Sequence, residues 1–396
     1  MTIIMKLIRK IFSFPKIIYL LILTLIIFLF IINLPSSAIT IKDVKFIGEA
    51  TIPNGLSFQK TELGGLSGIT YDAKNDLFYA ISDDRGQKSP PRFYTFKIDL
   101  AKGKLNKKGV IPVGVTTLLD EKGQTFPPGK TDTEGIAKTN NGTVFVSSEG
   151  DAAQLVNPFI KEFALASGKE VSSLPIPEKF LPTKDGKRGI RNNLAFESLT
   201  ITPDQKYLYT ATENALLQDG AEAKPKQSTN SRILQYNLQT KQPEKEFLYT
   251  TEPFKPLLNL SRFSAGIPDL IALDNHGNFI AIERVFTGMG FYVYLFQVSL
   301  DEAEDISRID SLAGVDIKNI KPVKKKLLYD LRFLDVSLDN LEGLTIGPRL
   351  QDGSLSLIMV SDNNFQNSLQ KNQILAFKLK IELPIVSFFK RFIPGL

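Results

Sequence analysis

The sequence predicts an all-β chain: a β-propeller of five four-stranded blades, the last blade closed by an N-terminal strand. Three observations predict it. First, an apolar strand, a short turn and a second apolar strand ending in a carboxylate recur five times. The copies read LSGITYDAKNDLFYAISDD (66–84), DTEGIAKTNNGTVFVSSEGD (132–151), AFESLTITPDQKYLYTATEN (195–214), IPDLIALDNHGNFIAIERV (267–285) and NLEGLTIGPRLQDGSLSLIMVSDN (340–363). Their closing acids, Asp83, Glu149, Glu213, Glu283 and Asp362, stand 66, 64, 70 and 79 residues apart. A near-constant period marks a repeat architecture, because one unit alone cannot bury its apolar face. Second, the complete repeats extend to four strand-like runs, which describes a propeller blade. Third, the fifth repeat supplies only three, 341–347, 355–362 and 373–380. The missing strand is available in Val44–Ile52, and using it there removes a free sheet edge. A sixth blade is the alternative if a long insert hides one.

Taken in order, residues 1–38 stand apart. Lys6, Arg9, Lys10 and Lys16 precede an apolar run from Ile17 to Leu34, and Ser36-Ser37-Ala38 then offers small residues of cleavage-site type. That layout reads as a signal peptide, or as an N-terminal membrane (transmembrane) anchor if it is not cut. Basic residues on its N-terminal side place the body, 39–382, outside the cytoplasm in either case: periplasmic, extracellular or membrane-anchored. Within that body the turns between first and second strands are short and hydrophilic, as at Asn141-Gly142, a hairpin signal. Connections at the opposite end (114–131, 175–193, 214–230, 251–266, 363–372) are long, so one face is trimmed and the other elaborated as binding faces are. The exception is 301–320, a long excursion on the trimmed side, expected to hold a short helix. The tail 383–396 (LPIVSFFKRFIPGL) mixes Phe and Ile with Lys390-Arg391. It reads as a segment packed on the propeller in preference to a membrane-surface segment.

Charge and composition exclude several classes. The net charge of +6 falls by four with residues 1–38, so the body presents no polycation to nucleic acid. Cysteine is absent, which removes thiol nucleophiles and zinc–thiolate sites. The single histidine, His276, lies in a hairpin turn at the far end from the closing acids. A Ser–His–Asp triad needs its imidazole beside the nucleophile, so serine-hydrolase chemistry of that type is excluded. Hydrolysis would then run through a metal-activated water, carboxylate acid/base work, or both.

A second set of acids begins the first strands: Glu134, Glu197 and Glu342, with Asp269 loosely equivalent. Hairpin parity brings both sets to one mouth, the end with the long loops. Carboxylates crowded round an axis repel unless cations neutralise them. Arg85, Arg284 and Arg191 are the nearest side chains able to do so. Glu134, Glu197, Glu342, Arg284 and Arg85 are therefore the candidate catalytic groups. Asp83, Glu149, Glu213, Glu283 and Asp362 are the candidate ligands of a divalent cation, calcium by its taste for carboxylate and carbonyl oxygens. The bland alternative is that each acid caps a backbone N–H or pairs with arginine as a fold element.

The phrases GGLSGITYD, ISDDRG, DTEGIA, NLAFESLTITPD, ATEN, IERVF and NLEGLTI together resemble the phytase-like ("esterase-like activity of phytase") family of secreted propellers, over about residues 60–380. The resemblance implies a hydrolase of ester or phosphoester bonds with a small-molecule substrate. A divalent metal is implied by analogy with propeller phytases, and no particular substrate is. Glu134, Glu149, Glu197, Glu213, Glu283 and Glu342 match the family's repeated acid motif. The first repeat departs, with Ser67-Gly68 where others have Glu-Gly or Glu-Ser, so a symmetric metal site is not implied. The reading is an exported, metal-assisted hydrolase acting as a monomer. Its rival is a non-catalytic propeller that binds a ligand or cell-surface partner around a structural cation.

Overall fold

A computed structural model describes residues 39–256 and 262–382, together with Tyr19. The signal-or-anchor segment and the tail 383–396 lie outside the described residues. Among those described, no helix is long and apolar enough to cross a membrane.

Ile39–Glu382 forms one compact unit of five antiparallel blades. The chain enters along β1 (Thr40–Ile52), makes a two-strand ribbon from β2 (Ser57–Phe58) and β3 (Thr61–Glu62), and begins the first blade. That blade comprises β4 (Leu66–Asp72), β5 (Leu77–Ser82), β6 (Arg92–Ile98) and β7 (Val110–Thr117). The second holds β8 (Thr133–Lys138), β9 (Thr143–Ser148), β10 (Phe159–Ala164) and β11 (Glu170–Leu174). The third holds β12 (Thr200–Ile201), β13 (Tyr207–Ala211), β14 (Asn230–Asn237) and β15 (Gln242–Thr250). In the fourth, the inner strand is broken into β16 (Ser264–Gly266) and β17 (Leu270–Ala272), both paired with β18 (Asn278–Phe286), followed by β19 (Phe291–Ser299) and β20 (Lys324–Asp330). The fifth runs β21 (Leu341–Arg349), β22 (Leu355–Ser361) and β23 (Asn372–Glu382), and β1 completes it. The pairing runs from Thr40↔Glu382 to Ile52↔Asn372, so the N-terminal strand closes the ring as the strand count requires.

Side chains alternate across each strand, so every blade is apolar on both faces and packs against two neighbours. Tyr79 and Ile81 meet Ile136 and Val146 between the first two blades, and Ile282 and Leu295 meet Leu344 and Met359 between the last two. The excursion 301–320 contains only a three-residue 3-10 turn, Ile317–Asn319, in place of a helix. It lies along β15, the outer strand of the third blade. Ile306 N–H donates to Glu246 O, and Ile306, Leu312 and Ile320 pack on Leu248. An exposed strand edge is a pairing hazard, and this strap covers one.

Five blades leave little room at the axis, and the repeated glycines answer to that. A Cβ on Gly68 would lie 2.4 Å from Glu134 O of the next inner strand, one on Gly135 would lie 2.9 Å from Glu197 O, and one on Gly343 would lie 2.9 Å from Gly68 Cα. Inner strands therefore touch backbone to backbone at mid-axis. On the trimmed face they diverge around a cavity of about 300 Å³ lined by Thr70, Ile136, Leu199, Ile271 and Thr345. Gly68→Ala is expected to destabilise the domain by about 1–3 kcal/mol through this overpacking. Gly290→Ala, where a Cβ meets nothing within 4 Å, is expected to be near neutral. Denaturant unfolding of the two variants checks the difference.

Candidate functional site

Each acid is aimed by an irregularity in its strand. The β4–β5 register shifts between Leu66 and Gly68, the β8–β9 register between Thr133 and Ile136, and the β21–β22 register between Leu341 and Gly343. A bulge turns one side chain out of the alternation, and the residues so turned are Ser67, Glu134 and Glu342. Hydroxyls take over part of the interrupted ladder. Ser147 Oγ accepts from Gly135 N–H at 2.9 Å, and Ser198 Oγ accepts from Ala211 N–H at 2.8 Å. Glu197 precedes β12 in the same irregular stretch.

Eight carboxyls gather at the mouth: Asp83, Asp132, Glu134, Glu149, Glu197, Glu213, Glu342 and Asp362. Seven are less than a tenth exposed, and Asp83 is half-buried. Two arginines serve them unequally. Arg284 Nη2 donates to Glu213 at 3.0 Å, and its Nη1 binds Asn340 at 2.6 Å and also Glu342. Arg85 Nε donates to Asp132 Oδ1 at 2.7 Å, and its Nη2 reaches Asn193 Oδ1. Arg85 and Asn193 hold left-handed backbones, φ +50° and +57°. Two such non-glycine residues meeting at a site's opening are the sort of strain that functional sites store.

Among the described residues, no cationic side chain pairs with the rest of the cup. Carboxyl oxygens of Asp83, Asp132 and Glu134 lie within 4.8 Å of one another, and Asp83 Oδ1 is buried with no hydrogen-bond partner. Beside them Glu149 faces Glu197; one Glu149 oxygen accepts from Ala195 N–H, while Oε2 has no donor. Burial raises the pKa of Asp83, Glu134, Glu197 and Asp362 well above the carboxylate range, and neighbouring acids push the same way. Glu149 is pushed up to about 8, first by burial and then by Asp132. Burial also raises Asp132, Glu213 and Glu342, against the pull of Arg85 on the first and Arg284 on the other two.

Three sequence candidates stand apart from this cup. Glu283 turns between the third and fourth blades, where it accepts from Tyr249 Oη (2.9 Å), Lys325 Nζ (2.6 Å) and Glu252 N–H (2.8 Å). The next residue on β18, Arg284, takes the axial side. Asp269 accepts from Leu344 N–H and Leu270 N–H, both at 2.8 Å, and so ties the broken inner strand of the fourth blade to the fifth. Arg191 donates to the carbonyls of Ala215 and Gly220. His276 occupies the β17–β18 turn, its N–H on Asp274. Asp132 was not among the sequence candidates, although it begins the quoted phrase DTEGIA.

Residues 61–365 match the family model described as phytase-like, esterase-like activity of phytase. The chain belongs to this family. A stretch of 148 residues is 27% identical to an uncharacterized secreted protein of Arthroderma benhamiae, covering 31% of this chain and 27% of the relative, so the match spans about a quarter of that relative's length. Among solved structures, an endo-arabinase from Bacteroides thetaiotaomicron aligns over 82% of this chain and 96% of its own, at 11% identity and a TM-score of 0.42. A periplasmic gluconolactonase from Pseudomonas aeruginosa aligns over 82% and 90%, at 9% identity and a TM-score of 0.31. Likeness this distant says nothing of what the phytase-like chain acts on.

A carboxyl whose pKa is raised on folding binds its proton more tightly in the folded state, so stability falls as pH climbs. For Glu149 the window runs from 4.5, its ordinary value, to about 8. In chelator, the thermal midpoint is expected to fall steadily across that window. A midpoint that rises over the same range would contradict the electrostatics described.

Proposed function

We propose that the phytase-like propeller is an exported hydrolase of phosphoester or carboxylic ester bonds, working at the acidic mouth with a divalent cation. One observation carries this reading: three carboxylates within 4.8 Å of one another, one with a buried oxygen that nothing satisfies. An all-oxygen donor set of this kind suits a hard cation such as calcium. Asp83, Asp132 and Glu134 would hold it. Its chemistry there would be to polarise the ester oxygen and lower the pKa of water.

The chain's own groups supply the rest. Arg85, partly open to solvent, and Asn193 stand at the entrance, where a guanidinium can orient an anionic or carbonyl oxygen. With Asp83, Asp132 and Glu134 ionised around a cation, the neighbouring Glu149–Glu197 pair still shares a proton between facing carboxyls. That proton, on Glu149 Oε2 or on Glu197, is the one available to a leaving alkoxide. Arg284 neutralises Glu213 and Glu342 and keeps the far wall in place.

The rival, a binding propeller around a structural cation, fits best if arginines pair every acid. Here Arg284 and Arg85 pair three of the eight, and the carboxyls of Asp83, Glu134, Glu149, Glu197 and Asp362 have no ion-pair partner among the described residues. A panel of phosphomonoester, phosphodiester and short acyl-ester substrates, run with calcium and with chelator, tests the choice. The wild type is expected to turn over at least one class with calcium only, and to gain thermal midpoint with it. Glu134→Gln is expected to lose about 10²-fold or more in kcat/KM and the calcium-dependent gain in midpoint, while staying folded. Calcium-dependent stabilisation with no turnover on any ester would favour the binder. Full activity in chelator would remove the metal from the proposal.

Glu283→Gln provides the contrast. It is expected to leave kcat/KM within about twofold, yet to cost about 1–3 kcal/mol of stability by loosening Tyr249 and Lys325. A calcium-dependent loss of activity in this variant would return Glu283 to the mouth.

A further inference from the structure

One arginine of the mouth is committed and the other is not. Arg284 is buried, and its guanidinium is shared among Glu213, Glu342 and Asn340. Arg85 has a single acidic partner, Asp132, and its side chain is 32% exposed. A counter-ion held on one side and open on the other can be exchanged.

The contact between Arg85 and Asp132 is itself divided. Arg85 Nε donates to Asp132 Oδ1 at 2.7 Å. Nη2 stands 2.5 Å from Oδ2, yet its hydrogen bond goes to Asn193 Oδ1. Oδ2 is therefore buried beside a positive charge without accepting a hydrogen bond. Asp83 Oδ1, in the same three-carboxylate cluster, is buried and unsatisfied as well. Two adjacent acids thus each present a buried oxygen that no donor serves.

A calcium ion sits about 2.3–2.6 Å from a carboxylate oxygen, the distance at which Nη2 already stands from Asp132 Oδ2. Cation and guanidinium therefore compete for one oxygen. The backbone of Arg85 is pinned, since Gly129 N–H donates to its carbonyl at 2.7 Å. Only the side chain need move, toward the solvent it already meets. Charge decides the competition. Replacing the guanidinium by sodium exchanges one positive charge for another and gains little once the ion has lost its water. A divalent ion doubles the attraction to the crowded carboxyls.

We propose that Arg85 is the charge filter of the Asp83, Asp132 and Glu134 centre, an internal monovalent counter-ion that a divalent cation displaces and sodium does not. The filter rests on the reading of the mouth as a cation site and adds what makes that site selective. Displacement also frees the guanidinium at the entrance, where an incoming substrate oxygen can take it up.

Thermal midpoints and calcium calorimetry of the wild type, Arg85→Gln and Arg85→Lys test this without any substrate. Arg85→Gln keeps a donor for Asp132 or Asn193 but no charge, and Arg85→Lys keeps the charge without the fork. Each protein is heated in sodium chloride, in calcium, and in the chloride of tetramethylammonium, an ion too large for the centre. Ionic strength is held constant, and chelator is present in the two calcium-free salts. The wild-type midpoint is expected to be the same in those two salts and higher in calcium. Arg85→Gln is expected to melt below the wild type in tetramethylammonium, because Asp132 is left buried without a counter-ion. It is expected to recover with sodium, and to bind calcium about tenfold more tightly than the wild type. Arg85→Lys is expected to ignore sodium, as the wild type does. If Arg85 only braced the loops, the loss in Arg85→Gln would persist in sodium and its calcium binding would weaken, which would overturn the proposal. Equal calcium affinity in all three proteins would also overturn it, while leaving the cation site in place. Calcium that binds none of them would remove the cation and the filter together. A sodium effect on the wild type as large as that on Arg85→Gln would show that Arg85 filters nothing.

Discussion

Backbone-to-backbone contact of the inner strands at a five-blade axis is the constraint on which the rest depends. In the first, second and fifth blades the inner strands approach so closely that the motif position facing the next strand is Gly68, Gly135 or Gly343, whereas the third blade carries Ser198 there. The preceding residue cannot stay in the regular alternation, because one of its two directions is occupied by a neighbouring backbone. A bulge resolves the conflict and sends that side chain toward the mouth. The recurring Glu-Gly pair is therefore one device with two halves, a glycine that lets the ring close and an acid directed upward by the bulge beside it. Ser67 shows that the device tolerates a substitute. Its hydroxyl lies close enough to the carbonyls of Thr133 and Glu134 to donate to either, which stitches the first blade to the second without adding a charge.

Placing acids at the bulges of the second and fifth blades has an electrostatic cost that the fold does not spread evenly. Buried carboxyls resist ionisation, and each ionised neighbour makes the next harder. Ion pairs offset this mainly on one side. Arg284 binds Glu213 and Glu342 across the third, fourth and fifth blades. On the side of the first and second blades, Arg85 reaches Asp132 alone. Asp83, Glu134, Glu149 and Glu197 are left to hold protons, to share them, or to meet a cation from outside. The unpartnered oxygens of Asp83 and Glu149 fall on this side too. The cup is polarised, with a neutralised wall and a reactive wall, although its blades are repeats.

The architecture was legible in the sequence because it follows from period and parity. Five spaced acids, a three-stranded last repeat and a spare strand at 44–52 leave one economical way to close the ring. Most of the acidic cup was legible for the same reason. Asp132 was not singled out because it precedes the inner strand, outside the two repeated acid positions, and only the fold brings it to Asp83. Glu283 was read at the mouth because its phrase, IERVF, aligns with ATEN and SSEG. Side chains on a strand alternate with a period of two, so a local offset of one residue exchanges the faces. In the fourth blade the inner strand breaks at 267–269, Arg284 pairs with Gly266, and the axial direction passes from Glu283 to Arg284. The helix expected in 301–320 failed for a different reason. That segment is held by tertiary contacts to β15 and needs no local periodicity.

The break in the fourth blade also accounts for the asymmetry of the cup. An unbroken inner strand there would place an acid opposite Glu213 and Glu342, and the ring would carry like charge all round. Instead Asp269 turns to the N–H groups of Leu270 and Leu344, a use of its charge that holds the broken strand to its neighbour. Shifting the register puts a guanidinium where the repeat would have put a carboxylate. One irregularity thus removes an acid from the mouth, adds a cation, and leaves the uncompensated charge between the first and second blades. There Asp132, at the end of the long loop that joins those blades, completes the three-carboxylate cluster with Asp83 and Glu134. The position of the candidate centre within the ring follows from where the repeat fails.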